Sequence, residues 1–349
     1  MHLSVPDVKA EAARIGFVAC GVTTLEPTPH AEQLDAWLAA GYAGTMRYLH
    51  RQARKRKEPA LIVRGARRAV VVLDSYYHRD SDPAPGTAPA RTEASAPGAA
   101  SLRGAPSPRP RLARYARGTD YHLVTGSRLA RLAEYLRQHG AEIARPYVDA
   151  GPVPERELAQ RAGLGWIGKN TMLIRPDAGS FVFIGVILTD LELDPDRPFE
   201  SDRCGRCTRC LEACPTGAFV APRVLDATRC ISYLTIEYEG EIPATLADRF
   251  QGWAFGCDIC NEVCPWNVSF AAETTVPDYL PRGDLEQAGP SFFEELSEAE
   301  FERRFGDTAL TRPGLAGMRR NWRVAFRSCA DPGPGARESE ESSSARVSR

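Results

Sequence analysis

Cysteine spacing constrains this chain more than any other feature. Cys204, Cys207, Cys210 and Cys214 follow one another as C-x2-C-x2-C-x3-C, with Pro215 next. The end of that run recurs as Cys257-x2-Cys260-x3-Cys264-Pro265. Thiolates at two-residue gaps can wrap one face of a [4Fe–4S] cubane, while the fourth cysteine of each run serves the other cluster. Zinc or disulfides are the rival reading, but zinc ribbons use paired C-x2-C and have no need of C-x3-C-P. Two interlocked runs therefore predict two [4Fe–4S] clusters on a bacterial-ferredoxin-like segment.

The second run is one ligand short. Three residues before Cys257 stands Ala254, and Cys230, alone between the runs, is the obvious replacement. That assigns Cys204, Cys207, Cys210 and Cys264 to one cluster, and Cys214, Cys230, Cys257 and Cys260 to the other. Cys20 and Cys329 are left over from the ten cysteines. Thiolates that ligate iron persist in a reducing compartment. The stretch MHLSVPDVKAEAARIG has neither the apolar region of an export signal nor a twin arginine. No run reaches the ~18 apolar residues of a membrane span. A cytoplasmic protein with no membrane contact is expected. With 44 basic against 45 acidic residues, no global field attracts polyanions, so any nucleic-acid contact must come from local patches.

The chain of 349 residues is long enough for two or three domains with a real core. Its pattern reads as α+β: an α/β domain over 1–195, the double-cluster domain over 196–275, a short helical region over 276–330 and a tail without order from 331. Helices are expected at 6–15, at 30–40, through Leu129, Leu132 and Leu136, and from Pro154 to Ala162. Strands are expected at 17–22, 69–73, 143–148 and 181–188. Ala69–Leu73 is a continuous apolar run, hence buried on both faces. Residues 79–110 are Pro, Ala, Ser, Gly and Arg, and cannot bury enough surface to offset their ordering entropy. Beyond the cysteines, 292–305 reads as one amphipathic helix, and Arg319–Arg323 lie on a basic one.

Two clusters deliver single electrons, and some 180 residues of α/β structure precede them. A stand-alone carrier would not need that domain. Asp149, at a strand end before Gly151-Pro152, is the best acid candidate, although Asp before Gly and Pro is also a common turn residue. Asp120-Tyr121-His122 with Gly126 comes within one residue of the D-x-H-x-x-G loop of some cobalamin proteins, the extra residue making the match poor, and Asp120 can equally start a helix. The loop Gly163–Asn170 is neither a Walker A loop nor a dinucleotide fingerprint, though its glycines let backbone N–H groups approach an anion or a flat cofactor. The basic segment Arg47–Lys57 is either a solvated helix face or a phosphate contact.

From about Arg56 to Trp322 the chain resembles epoxyqueuosine reductase, the last enzyme of queuosine synthesis in tRNA. The resemblance rests on Arg56-Lys57-Glu58-Pro59, Tyr115-Ala116-Arg117-Gly118 with Asp120-Tyr121-His122, Asp149-x-x-Pro152-x-x-Glu155, AGLGWIGKN, ILTDLEL, RCISYLTIE and GCDICNEVCPWN. It implies reduction of the epoxide of epoxyqueuosine at the tRNA wobble position. The implied cofactors are two [4Fe–4S] clusters and a cobalamin bound without its lower base. Electrons would pass from an external flavodoxin- or ferredoxin-type donor through the clusters, and Asp149 would donate the proton to the epoxide oxygen. Charge develops on that oxygen as the ring opens, and a positioned acid offsets it. By the same resemblance the cobalamin pocket would comprise Arg56, Tyr115, Asp120, His122, Asp149, Gly168, Lys169, Leu173, Ser232, Cys257 and Asp258. Tyr233, Arg47–Lys57 and Arg319–Arg323 would meet tRNA, and the protein would act as a monomer.

The long insertion at 79–110 departs from the family pattern. So does the short C-terminal region, where RPGLAGMRRNWRVAF begins a HEAT-like unit that many members continue. A cobalamin-dependent reductive dehalogenase and a non-enzymatic electron carrier are the alternatives.

Overall fold

The apolar run at 69–73 becomes the centre of a four-stranded sheet. In the computed structural model of the chain, the described residues are 3–79, 109–286 and 288–330. The tail from 331 and all but the edges of the expected insertion at 79–110 lie outside them. Strands β1 (Ala19–Thr24), β2 (Arg68–Ser75), β3 (Ala144–Val148) and β4 (Val182–Thr189) pair antiparallel throughout in the order β1-β2-β4-β3. Alternation along β2 splits its side chains between two layers. Val70 and Val72 pack with Val8, Ala12, Leu129, Leu132 and Leu136 of helices α1 (Val5–Ile15) and α4 (Tyr121–Gln138). Ala69, Val71 and Leu73 pack with Leu158, Ala159 and Ala162 around α5 (Glu155–Arg161). Leu129, Leu132 and Leu158 are fully buried, and truncating any of them to Ala costs about 2–5 kcal/mol.

Local chemistry sets the helix ends. Ser4 and Asp7 form a reciprocal capping box on α1, and Gly16 closes it at φ 100°. The Asp120 side chain caps α4 by accepting from His122 N–H. Helices α2 (Ala31–Ala39) and α3 (Arg47–Lys57) follow β1, and α3 buries none of its residues.

The cysteine segment is threaded into this layer structure rather than appended to it. Arg111–Leu112 pairs parallel with Trp253–Phe255. After Cys264 the chain returns to the sheet: Thr274 N–H donates to Tyr77 O at 2.7 Å, and Tyr279 Oη donates to buried Asp74 at 2.7 Å. Arg128 closes on the same carboxylate at 2.5 Å. The short helix α6 (Ile231–Ile236) starts at Cys230.

The expected single helix over 292–305 is two. Phe292–Glu295 ends where Leu296 turns extended, and α7 (Glu298–Phe305) starts afresh. Ser297 and Glu300 form a second capping box there, satisfying two N–H groups that a continuous helix would not leave exposed. Helix α8 (Gly314–Ala330) then packs Leu315, Met318, Trp322 and Ala325 against Phe255, Phe293, Phe301 and Phe305. The C-terminal helices therefore share a core with the strand that precedes Cys257.

Candidate active site and cluster cysteines

The seven cysteines of the two runs, with Cys230 as the eighth, form two neighbourhoods. Cys204, Cys207, Cys210 and Cys264 all line one cavity of about 320 Å³, together with Trp266 and Phe270. Burial and the three neighbouring thiols push the Cys210 pKa up to about 11. In the second neighbourhood the Cys257 thiol is pushed well up, first by burial and then by Cys260, with Cys230 also contributing. Cys260 likewise feels burial first, then Cys230 and, more weakly, Cys214.

Backbone and indole N–H groups already point at several of these sulfurs. Ala218 N–H donates to Cys214 Sγ at 3.3 Å, and Trp166 Nε1–H to Cys204 Sγ at 3.4 Å. Cys230 receives the Tyr233 and Ser232 N–H groups at the start of α6. Such bonds tune cluster potential. Among the described residues no three His, Cys, Asp or Glu side chains converge to hold a single metal ion.

Asp149 sits where β3 ends, in the left-handed region at φ 45°, a conformation that costs a non-glycine residue of order 1 kcal/mol or more. Tyr121 Oη, from the first turn of α4, donates to Asp149 Oδ2 at 2.5 Å. His122 stacks on Tyr121 with centroids 4.2 Å apart, and its Nδ1 lies 2.7 Å from Asp120 Oδ1. The His122 pKa is raised, chiefly by that bond, and the ring also meets the Asp149 backbone. Arg56 donates to Gly151 O at 3.1 Å and Val153 O at 3.3 Å, holding the turn that follows Asp149.

The path from Asp149 to the second set of cysteines runs through aromatic rings. Tyr115 meets Tyr121 edge-on at 6.0 Å and Tyr76 at 6.4 Å. Asp258, between Cys257 and Cys260, accepts from Arg114 N–H at 2.7 Å and so fixes Tyr115. Burial first, then Glu262, pushes the Asp258 carboxyl up to about 6.

The remaining expected pocket residues fall in different places. Ser232 lies at Cys230, and Gly168 is packed against Ile174 and Asn170 of its own loop. Leu173 is 2% exposed in the core beneath α5, pairing with Ile167 in a short hairpin. Lys169 reaches the other way: its Nζ donates to Gly205 O at 2.7 Å and Cys207 O at 3.0 Å. It clamps the first cysteine loop, because the hairpin of 166–174 packs on that loop through Trp166.

Several side chains expected at a tRNA interface are occupied inside the protein. Tyr233 is buried, and its hydroxyl meets Thr45 N–H and Oγ1, each at 2.8 Å. Gly44 is required beside it: a Cβ there would stand 2.4 Å from Tyr233 Oη, at φ 57°. Arg319 donates to the Phe293 and Leu296 carbonyls, and Arg320 to those of Leu234, Tyr238 and Gly240. Arg323 stays exposed and pairs with Glu294 at the surface, at 3.0 Å. Short helices leave carbonyl groups unpaired at their C-termini, and Arg319 and Arg320 satisfy them. On α3, by contrast, Arg47, Arg51 and Lys55 are exposed and share one face at four-residue spacing.

Three further residues surround Asp149, and of these only Glu155 stood in a motif with it. Glu155 lies close enough that burial, then the Asp149 charge, push its carboxyl up to about 8. Tyr48 is raised first by burial, with Glu237, Arg312, Asp149 and Arg56 around it. Arg312, entering from the C-terminal helices, donates to Glu237 at 3.2 and 3.0 Å. For Tyr48 the sequence signal was its eight-residue spacing from Arg56 on α3, which places both on one helix face.

An acid on an α+β domain, joined by packed tyrosines to a double set of cluster cysteines, defines an iron–sulfur oxidoreductase. Comparison with known proteins makes the class specific. Residues 203–267 match the 4Fe-4S double cluster binding domain, and residues 56–150 match the family described as epoxyqueuosine reductase QueG, DUF1730. The chain is 39% identical to the epoxyqueuosine reductase of Gloeobacter violaceus over 95% of its own length and 98% of the relative's. It is also 39% identical to that of Pseudomonas aeruginosa, covering 93% and 87% of the two chains. Among solved structures it superposes on an epoxyqueuosine reductase with a tRNA-Tyr epoxyqueuosine-modified stem loop, at TM-score 0.80, 29% identity and coverage of 93% and 81%. The Bacillus subtilis epoxyqueuosine reductase, solved with its catalytic aspartate loop swung out of the active site, gives TM-score 0.78 at 28% identity, with coverage of 99% and 86%. The chain belongs to the epoxyqueuosine reductase family and is an oxidoreductase. The family uses cobalamin and iron–sulfur clusters.

Proposed function

We propose that this protein reduces the epoxide of epoxyqueuosine at the wobble position of tRNA, giving queuosine, with Asp149 as proton donor. The observation that carries the reading is the Tyr121–Asp149 bond at 2.5 Å, on an aromatic path leading to Asp258 and the cysteines beside it. The substrate itself is drawn from what the relatives act on. Deoxygenation breaks both C–O bonds of the epoxide, takes up two electrons and two protons, and releases water. Asp149 holds the proton delivered to the epoxide oxygen, and the Tyr121 hydroxyl and the His122 ring keep that carboxyl aimed from the strand end. A positioned acid of this kind is worth about 10²–10⁴ in rate.

The cysteines divide as Cys204, Cys207, Cys210 and Cys264 around one cluster, and Cys214, Cys230, Cys257 and Cys260 around the other. Their two neighbourhoods support that division. The residues near Asp149 also suit a cobalamin. Arg56 Nε is buried without a hydrogen-bond partner among the described residues, as a side chain awaiting a polar ligand would be. Arg56, Tyr115, Asp120, His122, Ser232, Cys257 and Asp258 would hold the group, with Gly168 and Leu173 shaping the loop behind. Bound cobalamin supplies the low-potential electrons. Arg47, Arg51 and Lys55 would track tRNA phosphates beside the site, consistent with Tyr48 and Arg56 on the adjoining face of α3. The protein would work as a cytoplasmic monomer, and among the described residues no helix is long and apolar enough to cross a membrane.

Nucleoside mass spectrometry of tRNA from a deletion strain tests the reading. Complementation with the wild-type chain restores queuosine, whereas Asp149→Asn leaves epoxyqueuosine. Full queuosine in the uncomplemented deletion strain would overturn it.

A further inference from the structure

We propose that the basic rim of the cavity formed by Cys204, Cys207, Cys210 and Cys264 is the docking surface for a small acidic one-electron carrier protein. The inference rests on the reading of these cysteines as cluster ligands. Arg203, Arg206 and Arg209 are all exposed within one seven-residue stretch, and Arg203 and Arg209 line the cavity itself. Arg206 and Arg209 are in no ion pair among the described residues. Of the flanking acids, Asp202 pairs with Arg223 at 2.7 Å, and the Glu212 carboxylate accepts from Thr208 Oγ1 at 2.5 Å. Residues 203–209 thus carry three arginines and no acid, a local positive patch.

The rim is also apolar at its centre. Phe270, which lines the cavity, is 49% exposed and packs on Trp266 with centroids 5.4 Å apart at the cavity wall. An exposed aromatic inside a charged collar is the anatomy of a protein interface, here of the small, fast-exchanging kind that suits electron transfer. Charge complementarity then sets the encounter rate. The second set of cysteines offers nothing comparable, since Cys257 and Cys260 lie deep against Tyr76, Tyr115 and Asp258. Each docking event oxidises the carrier by one electron and reduces a cluster by one, so one epoxide needs two events. A low-potential flavin or iron–sulfur protein with an acidic face is the matching partner. RNA is the less favoured occupant, because exposed Phe270 stands where a backbone-tracking surface would carry a polar side chain.

The test uses protein reconstituted anaerobically with iron and sulfide. Stopped-flow bleaching of the clusters is followed with a reduced acidic flavodoxin over a series of salt concentrations. In R206E/R209E the second-order rate constant at low salt is expected to fall about tenfold or more and to lose its salt dependence. Iron content, reduction by dithionite and affinity for a tRNA stem loop are expected to stay unchanged. The neutral pair R206Q/R209Q, with a smaller drop in the same direction, keeps the test valid if charge reversal impairs iron loading. An unchanged flavodoxin rate in both variants would overturn the proposal, as would a fall in tRNA affinity with the flavodoxin rate intact. A wild-type chain that takes up no iron fails before any carrier is added, and that result removes the cluster reading instead.

Discussion

Tyr121 Oη donates to Asp149 Oδ2 at 2.5 Å, joining the first turn of α4 to the end of β3. The two residues belong to elements held by the same core, since Leu129 and Leu132 of α4 pack under the sheet that carries β3. A bond from a buried phenol to a carboxylate is worth about 1.5–3 kcal/mol. The Tyr121 pKa is strongly raised, by burial first and then by Asp149, so the phenol stays a donor at every working pH.

Tyr121→Phe is therefore expected to lower single-turnover conversion of an epoxyqueuosine stem loop about tenfold, with iron content unchanged. Asp149→Asn should cost at least about 10²-fold. Equal losses in the two variants would show that Tyr121 does more than position the carboxylate.

Cys230→Ala should roughly halve the iron bound per chain after anaerobic reconstitution, because a cluster that loses one of four thiolates is not retained. Cys20→Ser, at a thiol outside both neighbourhoods, should leave iron content at the wild-type level. Full iron in the Cys230 variant would remove that residue from the ligand set.

Glu155 makes stability fall as pH rises. Its folded-state pKa, about 8 against an ordinary 4.5, is raised by burial first and by Asp149 second. The folded state thus binds more protons than the unfolded chain between those values. Its stabilising contribution is complete below about pH 4.5 and is lost as pH climbs through 8. From pH 6 to 8 the loss is of order 2 kcal/mol. Thermal midpoints over that range should decline less steeply in Glu155→Gln, and parallel slopes would contradict the assignment.

Arg51→Ala and Lys55→Ala should each weaken tRNA binding and lower the salt slope by about one. Arg320→Ala should instead cost about 1–3 kcal/mol of stability, from the carbonyls it leaves unpaired, with the salt slope intact. Fluorescence anisotropy of a labelled stem loop, beside thermal melts, separates the two effects.

What the sequence by itself determined is local and periodic. The cysteine spacing, the apolar run of β2, the leucine face of α4 and the Ser4–Asp7 cap depend on residues within a turn or two of each other. Chain-local geometry dictates them. What only the tertiary structure decided is where polar side chains point once distant segments meet. Tyr233 reads as exposed until Thr45, 188 residues away, takes its hydroxyl. Arg319 and Arg320 read as a binding patch until short helices present unpaired carbonyls to them, and Lys169 as a pocket residue until the 204–207 loop lies beneath it. The 292–305 break was legible in Ser297-x-x-Glu300, yet the apolar spacing across it hid the signal. Long arginine and lysine side chains reach any acceptor the fold brings near, and no spacing rule along the chain encodes that choice. The same holds for Asp149, whose place on a strand end was readable but whose partner on α4 was set by packing across the sheet.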